Sequence, residues 1–234
     1  MIKNPTKGTQ EELTDANLER GRRQLIRLQV VIDVLFALLI FTLFQFLPRP
    51  DIDNFTKDTI VEAFMASGTN FMIIGVGIIL VLIYWNQNNM QFGNLDRTDG
   101  KHATISILSI FCLMLYLYFV RLDVELDGVV IALQLESVTL ALSGFLSIYS
   151  WHYAIKNNLV SDKIKTIDQD GVYLKLMPEP IVAVLSLPFA TFGADIWTLS
   201  WLLLIPVGWG LKKYRHRIKF LALKKEEPKD INEK

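Results

Sequence analysis

The stretch LQVVIDVLFALLIFTLFQFL, residues 28–47, is apolar apart from two glutamines, one aspartate and one threonine. An α-helix needs about 20 residues to cross the hydrocarbon core of a bilayer, and this stretch has that length. Further apolar stretches occupy residues 71–88, 103–120, 129–155, 178–193 and 196–211, and the segments between them carry most of the charge. We therefore predict an all-α polytopic membrane protein whose six transmembrane helices fill residues 27–211.

The composition excludes several classes of function. Lysine and arginine together number 24, as do aspartate and glutamate, so no net basic charge favours nucleic acid as a partner. The single cysteine, Cys112, can form no disulfide within the chain. Because we find no zinc-ligand spacing, glycine-rich phosphate loop or nucleophile motif, we predict that the protein is not an enzyme and needs no cofactor or metal.

The distribution of lysine and arginine predicts the orientation in the membrane. Short cytoplasmic loops carry the excess of these residues, and here they concentrate before residue 28, between spans two and three, between spans four and five, and after residue 211. We expect both termini to be cytoplasmic, with an N-terminal helix over 1–26 and a basic, then charged, tail over 212–234. The exterior segment 51–67 has the pattern of a short amphipathic helix, although a packed loop also fits.

Polar residues of the first span fall into two groups. At about 100° per residue, Gln29 and Asp33 share one helix face, whereas Leu38, Thr42 and Gln45 share another. An ionisable group in a span usually faces the bundle interior and finds a partner there. The second face could line a water-filled path, although a threonine hydroxyl in a membrane helix often bonds to its own backbone.

Donors at the end of the second span lie at the depth of Asp33. Trp85, Asn88 and Asn89 each carry an N–H group that can donate to a carboxylate. A buried network between the two helices is one interpretation. The other is that Trp85 anchors the helix at the membrane interface and the asparagines end it.

These residues resemble a family of potassium channels, transmembrane protein 175. In that family the first span begins with an arginine and has Phe-Ser-Asp ending six residues later; the matching residues are Arg27 and Val31-Ile32-Asp33. The second span of the family ends in Tyr-Trp, two further residues, His-His and a phenylalanine. This sequence has Tyr84, Trp85, Asn88, Asn89 and Phe92 there, followed by a similar basic and acidic group at 96–99. It looks like a divergent prokaryotic six-span member.

The resemblance implies a potassium channel in which the first spans of several subunits surround the ion path. The constricting aliphatic residue of the family lies five positions after the motif aspartate, which is Leu38 here, and the next polar position falls near Phe41 or Thr42. Gln45 lies on the same face. Arg27, Asp33, Trp85, Asn88 and Asn89 would form the structural motif. By the same resemblance we expect a homotetramer in a prokaryotic plasma membrane, with lipid around it and a monovalent cation, potassium, passing through it.

A second ionisable residue lies inside the fourth span. An intramembrane carboxylate such as Glu136 is by default a candidate proton or cation site, although the length of this span also allows a position near the exterior interface. His152 is expected to be an interfacial residue. Two alternatives to a channel remain: a proton- or cation-coupled transporter that uses Asp33 or Glu136, and a non-conducting membrane scaffold subunit.

Overall fold

The structure is a computed structural model that describes residues 7–45, 68–126, 128–162, 164 and 166–214. The exterior segment 51–67 and the tail beyond residue 214, for which we predict an amphipathic helix and a charged tail, lie outside the described residues. The fold is all-α, as the sequence predicts. An isolated antiparallel bridge joins Leu95 to Val160.

Helices, four of them long, make up most of the described chain. They are α1 (Lys7–Phe44), α2 (Gly68–Phe92), α3 (Gly100–Glu125), α4 (Val130–Lys156), α5 (Thr166–Leu176), α6 (Pro178–Ser186) and α7 (Ala194–Ser200). A 3-10 segment, Leu187–Phe192, extends α6, and another, Trp201–Leu203, continues α7 into helical residues 204–214.

The helices have the length and hydropathy of membrane spans. In the described part of the chain, five segments are long and apolar enough to cross a bilayer: Asp15–Phe44, Gly100–Glu125, Val130–Lys156, Gln169–Phe192 and Ala194–Tyr214. The 25-residue helix α2 is a further apolar helix of the bundle. We call the end of the bundle where α2 gives way to α3 the proximal end, and the end where α3 gives way to α4 the distal end.

Helix α1 is continuous from its N-terminal part into the first apolar stretch. We expect a cytoplasmic helix over 1–26 before the first span, and the described helix, from Lys7 to Phe44, has no break at residue 26. Gly21 lies inside it and allows a close contact: a Cβ there would lie 3.0 Å from Cβ of Arg97, and the Gly21 carbonyl accepts a 3.2 Å bond from the Thr98 amide.

Serines join α3 and α4 into a tightly packed hairpin. The hydroxyl of Ser109 donates to the Ser143 carbonyl and that of Ser143 to the Ser109 carbonyl, both at 2.8 Å. Small residues allow the backbones of membrane helices to approach closely. Gly144 then lets α6 pack on α4, since a Cβ there would lie 2.8–2.9 Å from the ring atoms of Pro180. This hairpin forms the scaffold against which α1 and α2 pack.

Candidate functional site

One face of α1 is buried in the bundle. Its apolar side chains, spaced three or four residues apart, belong to the hydrophobic core: Leu25, Leu28, Ile32, Phe36, Leu39 and Leu43. Gly77 of α2 lets the helices approach, because a Cβ there would lie 2.7 Å from a Leu43 methyl. Burial of this stripe fixes which way the rest of α1 faces.

The opposite face of α1 is exposed in the single chain. Alternating steps of four and three residues define what we call the outer stripe, which comprises Arg27, Val31, Val34, Leu38, Phe41 and Gln45. Leu38 is 48% exposed and Phe41 61% exposed. The mean spacing of 3.6 residues is the period of an α-helix, so these side chains form one continuous face of α1, opposite the buried one. The stripe is therefore suited to contact with other α1 helices as well as with lipid.

Thr42 borders the outer stripe and is half-buried. Its Oγ1 donates to the Leu38 carbonyl at 2.8 Å, which is the backbone bond common for threonine in membrane helices. That bond uses the hydroxyl proton and leaves lone pairs on Oγ1 to accept other contacts. Oγ1 of Thr42 therefore keeps the capacity to accept a contact from a cation.

Asp33 lies between the two faces of α1 and is bonded to α2. The indole Nε1 of Trp85 donates to its Oδ1 at 3.0 Å. A groove of about 310 Å³ lies beside the carboxylate, and its lining includes Gln29, Asn89 and Phe92. The carboxylate therefore lies at the contact of α1 with α2 and away from the outer stripe, as the two polar groups of the sequence indicate.

The other residues of the expected motif are arranged differently. The amide of Asn88 is bonded within its own helix, since Nδ2 donates to the Tyr84 carbonyl at 3.0 Å. Asn89 is exposed and reaches only the lining of the groove. Arg27 is exposed on the outer stripe. The structure thus brings Asp33 together with Trp85, whereas the Asn88 side chain bonds to the backbone of its own helix, at Tyr84.

A second polar face of α2 was not predicted from the sequence. Tyr84 donates to the Leu140 carbonyl at 3.2 Å, Gln87 to Oε2 of Glu179 at 2.9 Å, and Gln91 to Oγ of Ser147 at 2.7 Å. Their spacing of three and four residues is a helical stripe, and that spacing is the signal that could have revealed it. These bonds attach α2 to α4 and α6.

Polar contacts also join the helices at the proximal end. Asp96 forms a 3.1 Å ion pair with Arg22. The carboxylate of Asp99 accepts the His102 amide at 2.8 Å, which caps α3, and the Tyr153 hydroxyl at 2.9 Å. The basic and acidic group at 96–99 therefore links the N-terminal part of α1 to α3 and α4.

Glu136 lies apart from all of these contacts. It is buried in α4 near the distal end, and its Oε1 has no hydrogen-bond partner among the described residues. His152 is exposed, and its Nδ1 lies 3.1 Å from the Tyr173 hydroxyl. In the described part of the chain, no three His, Cys, Asp or Glu side chains are grouped to hold a metal ion.

Solved structures share this architecture. The chain is similar to a homologue of the lysosomal potassium-selective channel TMEM175 from Chamaesiphon minutus, with a TM-score of 0.64 and 13% identity over 82% of this chain and 98% of that one. It is also similar to a point variant of the potassium channel MtTMEM175, with a TM-score of 0.58 and 16% identity over 82% and 93%. No protein-family model matches the sequence, and no curated protein matches it. The chain has the fold of these TMEM175 homologues.

Proposed function

We propose that this protein is a divergent member of the TMEM175 family and a cation channel, selective for potassium, in which α1 helices of several copies surround the ion path. The outer stripe carries this proposal. Between Arg27 and Gln45 it carries Val31, Val34, Leu38 and Phe41, which are apolar, exposed in the single chain and aligned along one face of the helix. A single α1 cannot enclose a pore, so several copies must meet along the stripe.

Leu38 forms the constriction in this proposal. It lies on the outer stripe, and a ring of leucines contributed by several copies would exclude water from a narrow pore, which is a recognised way to gate one. Thr42, one turn further along, offers a hydroxyl oxygen whose proton is already bonded to the backbone. Phe41 and Gln45 complete the lining toward the end of α1.

Asp33 has a structural role in this proposal. Its bond to Trp85 holds α1 against α2, so that the buried stripe and the outer stripe keep their directions. Because the carboxylate lies at that contact, we do not assign it to ion binding. Asn89 lines the groove beside this contact, Asn88 is bonded within α2, and Arg27 lies on the outer stripe, away from Asp33.

The wider arrangement follows from the same proposal. We propose six spans, with α2 as the second, a proximal end that faces the cytoplasm as the lysine and arginine excess favours, and four copies in a cell membrane. The fold shared with the two channel structures supports the place of α2 among the membrane helices of the bundle.

Reconstitution into planar bilayers tests the channel directly. Purified protein under a potassium gradient should give unitary currents that reverse toward the potassium equilibrium potential. Leu38→Ala should raise the current several-fold, because a smaller side chain weakens the hydrophobic barrier. The matched control is Phe111→Ala, because Phe111 is 51% exposed on the face of α3 that points away from the core.

The outcomes separate the candidate functions. Silent bilayers that contain correctly assembled protein would contradict the channel and leave the scaffold subunit. Slow, saturable flux without unitary currents would indicate a coupled transporter. A transporter that passes its ion directly from one of these carboxylates to the other is less suitable, because Asp33 lies toward the proximal end and Glu136 toward the distal end.

A further inference from the structure

A carboxyl group is buried between α3 and α4 without a full set of partners. Glu136 is 2% exposed, and its Oε1 accepts no hydrogen bond from the described residues. It lies six residues into α4, roughly 9 Å from the start of the helix at 1.5 Å per residue. A carboxylate at that depth is strongly disfavoured unless a positive charge or a proton neutralises it.

The groups around Glu136 come mainly from α3. Asp123, at the end of α3, is close enough for its negative charge to repel that of Glu136, and Glu136 in turn acts electrostatically on the phenol of Tyr116. On the side of α6 and α7, the neighbouring Ser137 is bonded to Ser186 and to the indole of Trp197, both at 2.8 Å. The other charged groups of α3 lie elsewhere: Arg121 and Glu125 are exposed and paired with each other, and Lys101 and His102 lie at the proximal end. On the remaining elements packed on α4, Glu179 is bonded to Gln87, Asp195 is exposed, and Asp170, Tyr173 and Lys175 belong to α5 at the proximal end.

This set of groups suits a proton better than a metal ion. A hard cation takes six or more oxygen ligands, or keeps several waters, and needs room for them. Glu136 is instead enclosed by packed helices, and no group of three potential ligands occurs in the described part of the chain. One proton is enough to neutralise the buried carboxylate, and it needs no cavity.

We propose that Glu136 and Asp123 form a proton-binding site between α3 and α4 that is loaded from the distal end. Asp123 lies in the last turn of α3 and is partly exposed although its Oδ1 is buried, so it is nearer than Glu136 to the solvent at that end. The step is a reversible protonation: a hydronium ion gives its proton to the Glu136 carboxylate, an O–H bond forms, and water leaves. The site is separate from the outer stripe and does not depend on whether the protein conducts.

Infrared spectroscopy of the full chain in lipid vesicles tests this site. With isotope-labelled glutamate, the wild type at neutral pH should show the C=O band of a protonated carboxyl, which moves with the label. Glu136→Gln should remove that band. Glu125→Gln is the matched control, because Glu125 is exposed and paired with Arg121, and it should leave the band unchanged.

Each outcome decides the proposal. A wild type with no protonated glutamate at neutral pH, or a band of undiminished intensity in Glu136→Gln, would overturn it. If Glu136→Gln does not fold, Glu179→Gln is measured instead, because it removes the second buried glutamate of the described residues. A band that survives in Glu179→Gln supports protonated Glu136, and a band that is lost rejects the proposal. For the route, Asp123→Asn should slow the band shift after transfer into deuterated water several-fold, and an unchanged rate would reject entry past Asp123.

Discussion

At the scale of single residues, side-chain direction separates what the sequence predicts from what it misses. The rotation of 100° per residue is enough to place Asp33 away from Leu38 and Thr42, and the structure has Asp33 bonded to Trp85. The same reasoning cannot tell whether Asn88 donates to another helix or to the carbonyl of Tyr84, because both bonds are possible from the same position. The rotamer of the Asn88 side chain determines which of the two bonds forms, and the packing around it determines the rotamer.

Removal of the indole donor tests the bond at Asp33. Trp85→Phe keeps an aromatic ring and removes the N–H, so we expect a loss of about 1 kcal/mol in the free energy of unfolding. This is less than is usual for a bond to a charged group, because the bond is exposed. Thermal unfolding in detergent measures it, with the exposed Trp209→Phe as control.

A double-mutant cycle with Asp33→Asn should show that the two changes are coupled. Additive effects would mean that the indole and the carboxylate do not stabilise one another. The outer stripe is intact in both variants, so the ion selectivity of the currents should not change; altered selectivity would indicate that Asp33 belongs to the ion path.

At the scale of helices, the length of the apolar stretches predicts where the helices lie in the sequence. Which helices contact one another is harder to predict. Hydropathy identifies the apolar stretches, but it does not show that α1 continues through Gly21, because a glycine in a helix either weakens it or admits a neighbour. The spacing of Tyr84, Gln87 and Gln91 predicts that they share one face of α2. It does not predict that this face bonds to α4 and α6. Pairing depends on the whole bundle.

Two helical glycines give a matched test of the packing of α4 on α6. Gly144→Ala puts a Cβ 2.8–2.9 Å from Pro180, so the helices must separate, and we expect a destabilisation of roughly 1–3 kcal/mol. Gly208→Ala meets nothing within 4 Å and should be neutral or stabilising, because alanine favours a helix. Equal unfolding temperatures for the two variants would contradict the close contact of α4 with Pro180.

At the scale of the whole molecule, exposed apolar surface is the property that points beyond a single chain. Every membrane protein presents apolar side chains to lipid, so exposure alone does not identify an interface. The outer stripe has the spacing of an ordinary helix face, and what sets it apart is its place directly opposite the buried stripe, with apolar side chains in succession at 31, 34, 38 and 41. The sequence contains this spacing, but only the buried stripe of the folded chain shows that it faces outward.

Inter-subunit cross-linking at Leu38 tests the central claim most directly. In a Cys112→Ala background, which removes the buried native thiol, Leu38→Cys should form covalent dimers in vesicles when treated with a short bifunctional thiol reagent. Phe111→Cys, on the outward face of α3, should remain monomeric under the same treatment. Absence of cross-linked dimers at Leu38→Cys in intact oligomers, or equal cross-linking at both positions, would contradict an ion path surrounded by α1 helices.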